Sequence, residues 1–202
     1  MSNVGLLYVG AVLFVNSLML LNRVDAKSAS IFNLFVGALQ VITPLYLIFT
    51  AKGDTVIILN AAGIFLFGFT YLYVGLTNLL DLKTTGLGYY CLWVSILAVG
   101  FSLLNFMQFG DMKFGIIWGM WSYLWLLFFL LLGLEMDIAH YVGKVTLVQS
   151  WITATIPAFL SLVGLWSSMN NLIVYGITVL AVIYFVTSGL GKTKNSSINE
   201  VA

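Results

Sequence analysis

Seven long apolar segments, separated by stretches too short to hold a domain, fill nearly all of this 202-residue chain, and its eight basic and seven acidic side chains fall between those segments or at their ends. About 20 apolar residues is the length a helix needs to cross a bilayer. Reading for such runs predicts helices over 4–22, 29–50, 55–80, 86–108, 114–135, 145–168 and 172–190. Composition agrees, with 61% of residues hydrophobic and 7% charged, where a soluble domain carries roughly 25% charged residues. No water-soluble core encloses that much apolar surface, so lipid is the expected solvent. A β-barrel needs short strands of alternating polarity, whereas these segments are apolar on every face. The predicted fold class is an all-α membrane bundle of about seven transmembrane helices.

A net charge of +1 without a basic cluster excludes nucleic acid as a partner. If the N-terminus lies outside, the inner loops hold Arg23, Lys27, Lys83, Lys144, Lys192 and Lys194, and the outer loops Lys52 and Lys113. That bias satisfies the positive-inside rule and predicts an outside N-terminus and a cytoplasmic C-terminus. The leader Met1-Ser2-Asn3 lacks the basic region of a signal peptide, so the first helix is expected to be retained. Cys91 is the single cysteine, which leaves neither an intramolecular disulfide nor metal-ligand spacing; it reads as a small buried hydrophobe. His140 stands alone in a predicted loop, and no metal or cofactor is expected. Gly191-Lys192-Thr193 ends like a phosphate loop but lacks its first glycine. Asn195-Ser196-Ser197 matches a glycosylation sequon on the predicted inner side.

Leu7-Tyr8-Val9-Gly10 in the first segment returns as Leu72-Tyr73-Val74-Gly75 in the third, with a looser Tyr123-Leu124-Trp125-Leu126 in the fifth. Short charged turns at 22–27, 81–85 and 135–144 precede the even-numbered segments. Together these suggest a helical hairpin used three times, with a seventh helix added, although a four-residue match also arises by chance in so repetitive a composition. No segment carries an ionisable residue near its centre, which argues against proton or ion coupling and against membrane enzymes that need titratable or metal-binding groups. The helices carry uncharged polarity instead: Asn16, Asn33, Gln40, Asn60, Asn78, Asn105 and Gln149. Each amide either bonds a neighbouring helix or lines a path for a neutral polar solute. Phe65, Phe69 and Tyr73, and Trp118, Trp121 and Trp125, repeat at helical spacing. Such stripes are packing or pore wall; near mid-segment, Trp121 and Trp125 fit an interfacial belt poorly. Gly63, Gly68, Gly75, Gly115 and Gly119 permit close helix approach.

Several strings carry a family resemblance. Gly5-Leu6-Leu7-Tyr8-Val9-Gly10, Val24-Asp25-Ala26-Lys27-Ser28 leading to Asn33-Leu34-Phe35-Val36-Gly37, and Phe67-Gly68-Phe69-Thr70-Tyr71-Leu72-Tyr73 resemble the AmiS/UreI family of urea channels and short-chain amide transporters. Ile116-Ile117-Trp118, Val142-Gly143-Lys144 and Ile152-Thr153-Ala154 before Ile156-Pro157-Ala158 extend the likeness to about residue 168. The resemblance implies a six-helix channel domain over 1–168 made of three hairpins around its own pore, a seventh helix over 169–191, a cytoplasmic tail over 192–202, and a hexameric ring. It also implies two aromatic and aliphatic constrictions, which fall on Leu6, Leu13, Phe69, Tyr73, Trp121, Leu124 and Trp125 of this sequence. A flat neutral solute fits a slot between rings, whereas a hydrated ion loses solvation there without replacement. The tyrosine hydroxyl and the indole N–H groups are expected to offer it hydrogen bonds along the way.

Three departures from the family pattern stand out. Acid-gated members carry a long histidine-containing loop after the second helix, where this chain has only Ala51-Lys52-Gly53-Asp54. Gln149 stands where their pattern has a buried glutamate, an exchange that removes a titrating group and bears on alkyl-amide selectivity. The segment 172–190 lies beyond the six-helix pattern. The sequence therefore predicts a passive, non-acid-gated channel for urea or acetamide-like amides in a bacterial inner membrane, feeding a cytoplasmic urease or amidase. A secondary transporter of small amides and a non-conducting assembly protein are the alternatives.

Overall fold

The structure, a computed structural model, describes the backbone of residues 2–199 and the side chains of residues 3–189. Among the described residues it is all-helical, with seven helical spans long and apolar enough to cross a membrane. These are α1 (Ser2–Leu20), α2 (Ala26–Thr50), α3 (Thr55–Leu79), α4 (Thr85–Met107), α5 (Met112–Phe128) continued by a π-helical turn (Phe129–Gly133), α6 (Ala139–Gln149) joined through a π-helical segment (Ser150–Thr155) to α7 (Ile156–Leu162), and α8 (Asn171–Asn199). The chain divides into two compact units, Met1–Ser167 and Ser168–Ala202.

The charged residues confined to the ends of the spans have a structural task there. Asp25 accepts the Ser28 N–H at 2.7 Å, Asp54 the N–H groups of Val56 and Ile57 at 2.8 and 3.1 Å, and Asp111 that of Phe114 at 3.0 Å. Each satisfies donors that a helix start leaves without partners. At the other end, every span of the first unit is followed by a residue in the left-handed region: Asn22, Lys52, Asp81, Gly110, Glu135 and Gly164. Gly164 (φ 77°) closes the sixth span, the Leu165 and Trp166 N–H groups both returning to the Leu160 carbonyl at 2.8 and 3.1 Å. That span runs Ala139–Leu162, six residues earlier than expected. Lys144 reads as a loop residue in sequence, but it and His140 lie on the first turns of α6, and the true stop is Gly164.

The bundle contains three closely packed pairs, offset by one helix from those the turns suggested. The extensive contacts join α2 to α3, α4 to α5, and α1 to α6, α7 and the π-helical segment between them. Helices α1 and α2, α3 and α4, and α5 and α6 touch far less, although short turns connect them. Glycines decide the pairing. A Cβ at Gly75 would stand 2.8 Å from Leu34, and one at Gly68 2.9 Å from the Gln40 carbonyl, so α3 lies directly on α2. A Cβ at Gly88 would collide with the backbone of Gly133, and one at Gly10 with Thr155. Ser95 and Ser122 exchange hydroxyl-to-carbonyl bonds of 2.8 and 2.9 Å across α4 and α5. In lipid, this backbone proximity supplies the association that hydrophobicity cannot.

In the second unit, α8 continues to Asn199, beyond the expected end at 190. Thr178 and Thr187 fold their hydroxyls onto Val174 and Ile183 carbonyls at 2.8 and 2.9 Å, so neither polar group is left bare on this apolar helix. The side chains of Lys192 and Lys194 and the end of the tail expected over 192–202 lie outside the described residues.

Candidate functional site

Two cavities enter the first unit from opposite ends and meet in its middle. The first, called the vestibule here, opens where α1, α3 and α5 begin. Its wall carries Asn3, Gln40, Asn60, Asn105 and Asp111, with Leu6 and Trp118 deeper in. The second, the chamber, opens where those helices end; Leu13, Tyr71, Val74, Leu124, Trp125 and Phe128 are among the residues of its wall. Phe67 and Trp121 belong to both walls. Their rings stand edge to face at 4.8 Å, a favoured aromatic arrangement, and form the pinch between the cavities. Phe67 also lies 4.8 Å from Trp125 and 6.0 Å from Trp118, so one ring of α3 faces three indoles of α5.

The indoles of Trp121, at the pinch, and of Trp125, in the chamber, are locked the same way. Trp121 donates its N–H to the Thr153 hydroxyl at 2.9 Å, and Thr153 in turn donates to the Gln149 carbonyl at 2.6 Å. Trp125 donates to the Thr70 hydroxyl at 3.3 Å, and Thr70 donates to the Leu66 carbonyl at 2.6 Å. The π-helical segment carries Thr153, consistent with the frequent use of such turns at functional sites. Chamber polarity is largely consumed likewise: Asn16 and Asn33 exchange bonds of 2.9 and 2.6 Å. No Asp, Glu, Lys, Arg or His lines the chamber. Among the described residues, no group of His, Cys, Asp and Glu could hold a metal ion.

Comparison with known proteins settles the kinship. A family model described as the AmiS/UreI family transporter matches residues 1–165. The chain belongs to the AmiS/UreI family. It is 50% identical over 165 residues to a candidate transporter protein, AmiS2, of Rhodococcus erythropolis, covering 81% of this chain and 80% of that one. A candidate transporter of amidate substrates from Mycolicibacterium smegmatis is 47% identical over 169 residues, 83% of this chain and 79% of the relative. The acid-activated urea channel of Helicobacter pylori is 29% identical over 80% of this chain and 97% of its own. The cryoEM structure of the Helicobacter pylori urea channel in its closed state superposes with a TM-score of 0.75 at 30% identity, over 81% of this chain and 98% of that one.

Within this AmiS/UreI chain, Leu6 lines the vestibule, Leu13, Leu124 and Trp125 the chamber, and Trp121 both. Phe69 and Tyr73 line neither. Phe69 is 49% exposed and stacks on Phe65 at 5.5 Å, while Tyr73 is 37% exposed with its hydroxyl against Gly86 of α4. Phe67 and Tyr71, two positions earlier in the same string, line the cavities instead, Phe67 both and Tyr71 the chamber. On a helix, a shift of two residues turns a side chain through about 200°, which carries the Phe65, Phe69 and Tyr73 stripe to the outside. Gly68 and Gly75 fix that rotation, since their face must meet α2. The indole N–H groups expected to serve the solute are already given to threonines. The Tyr71 and Thr84 hydroxyls of the chamber wall form no hydrogen bond among the described residues. Gln149 is fully buried, lines neither cavity, and has no partner for either side-chain polar atom among the described residues.

Proposed function

We propose that this protein is a passive channel for urea and short-chain primary amides, the solute passing from vestibule to chamber as the contacting rings of Phe67 and Trp121 part. The observation that carries the reading is the pair of cavities reaching from opposite ends to one aromatic pinch, with no carboxylate, amine, guanidinium or imidazole beyond the Asp111 mouth. A neutral planar solute exchanges water for ring faces there, while an ion would be desolvated without counter-charge. Leu6, Leu13, Trp121, Leu124 and Trp125, with Phe67 and Tyr71 in place of Phe69 and Tyr73, are the pore residues of this reading; Gln149 acts behind the wall through Thr153. The Tyr71 hydroxyl offers a transient bond, and conduction requires that binding stay weak.

The same reading makes the channel independent of acid. The turn between α2 and α3 contains no histidine, His140 is on α6, and Gln149 does not titrate. The alignment with the acid-activated relative runs over 191 residues yet takes up only 80% of this chain, so that relative carries residues this chain lacks. The vestibule faces outside the bacterial inner membrane, with the C-terminus cytoplasmic. The protomers form a hexameric ring, which native mass spectrometry tests, and a cytoplasmic urease or amidase keeps the gradient inward.

Purified protein in vesicles, subjected to a urea or acetamide gradient, is expected to accelerate volume recovery equally at pH 5 and pH 7 with no ion gradient. Recovery no faster than in empty vesicles would sink the channel reading. Acceleration confined to pH 5 would leave conduction intact and remove the ungated part.

A further inference from the structure

We propose that Gln40 is the amide-recognition residue of the vestibule, its side chain docking the primary amide group of the solute before the Phe67–Trp121 pinch. This rests on the channel reading above and names the group that recognises its solute.

Gln40 is 3% exposed, yet it lines the vestibule. Its Oε1 is buried without a hydrogen-bond partner, and its side chain forms no hydrogen bond among the described residues. Gln149, the other buried amide without a partner among the described residues, lines neither cavity, while Asn16 and Asn33 bond each other and Asn105 donates to the Phe101 carbonyl at 2.8 Å. An unpaired buried carbonyl costs stability, and at a cavity wall its natural partner is what enters the cavity.

The chain also holds this amide in position. Gly5 of α1 leaves room for Oε1, which a Cβ there would strike. Gly68 of α3 packs on the Gln40 backbone carbonyl. One turn later, Pro44 lies inside α2 and has no N–H to give that carbonyl. The side-chain amide thus packs against α1, while α3 holds the backbone that bears it, and the amide carries both an oxygen acceptor and a nitrogen donor. A primary amide solute likewise carries both a donor and an acceptor and complements it. The Oδ1 of Asn105 supplies a second acceptor on the same wall, because its Nδ2 is taken. A solute of equal size without N–H groups leaves these oxygens unpaired and is disfavoured.

Propionamide and N,N-dimethylformamide are isomers that differ in their N–H groups, and they provide the probe. Vesicles containing the full chain are loaded with radiolabelled urea by uptake, with either compound as competitor. The unaltered protein should be inhibited by propionamide at a concentration about fivefold lower than by dimethylformamide, the size of one hydrogen bond. Gln40→Met, close in shape, should abolish that gap while urea still enters. Gly5→Ala, which keeps the glutamine but displaces its amide, should narrow the gap in the same direction. A gap that survives in both variants, or uptake that falls in both with the gap unchanged, overturns the proposal. Failure of the unaltered protein to carry urea at all overturns the channel reading instead.

Discussion

The vestibule and the chamber are walled largely by the same three helices, α1, α3 and α5, but treat polarity in opposite ways. In the vestibule, amides from four helices face the cavity beside Asp111, and Gln40 has no partner. In the chamber, the amides and indoles are turned onto partners in the protein, leaving ring faces and aliphatic wall with the Tyr71 and Thr84 hydroxyls among them. Polar groups can be placed on a wall for a solute or spent on holding that wall together. On the proposed reading, the first is done where the solute arrives and the second where it must not linger, which is how a path can be selective without binding tightly.

The largest expected change is at the boundary between the two regions. Trp121→Ala removes a ring common to both and should cost about 3–5 kcal/mol of stability, read by thermal unfolding in detergent. In vesicles that still fold it, discrimination between acetamide and bulkier amides should collapse. Retained discrimination would mean that the pinch is elsewhere. Thr153→Val leaves the Trp121 N–H buried without its acceptor at a cost of about 1–3 kcal/mol. Flux should become more sensitive to solute size as the indole loosens, whereas Thr70→Val, acting on the longer 3.3 Å bond, should do less. Asp111→Asn keeps a good helix cap and is expected to leave urea flux unchanged, since a neutral solute does not respond to that charge; a large fall would give Asp111 a direct part in entry. Phe69→Leu, on the outward face of α3, should alter stability by no more than about 0.5 kcal/mol and leave vesicle flux untouched.

The spans were legible because length and apolarity alone set them, and the capping aspartates mark where three begin. The sixth span was misplaced because Lys144 looks like a loop residue, while the stop signal, Gly164, sits in an apolar run. Rotation about each axis was the harder matter. A helix that is apolar all round offers no polar face to point outward, so in Phe67-Gly68-Phe69-Thr70-Tyr71-Leu72-Tyr73 both Phe67 with Tyr71 and Phe69 with Tyr73 have the spacing of a stripe. The glycines held the answer: Gly68 and Gly75 share a face that packs on α2, and that leaves Phe67 facing the two cavities. Trp121 and Trp125 were legible from their mid-span position, yet the fate of their N–H groups was not, because Thr70 and Thr153 lie on other spans. The pairing of spans was obscured for the same reason, since short turns join helices that barely touch.

The two threonine relays also bear on the energy stored across the membrane. Each chain of hydrogen bonds begins at an indole N–H, which has no lone pair to receive a proton, and ends on a backbone carbonyl of the same helix that bears the threonine. Neither chain can turn round and pass charge onward. Around these two indoles the wall therefore offers protons no wire, and if the protein conducts as proposed, a cell could leave the path open to a nutrient without short-circuiting its own proton gradient through these relays.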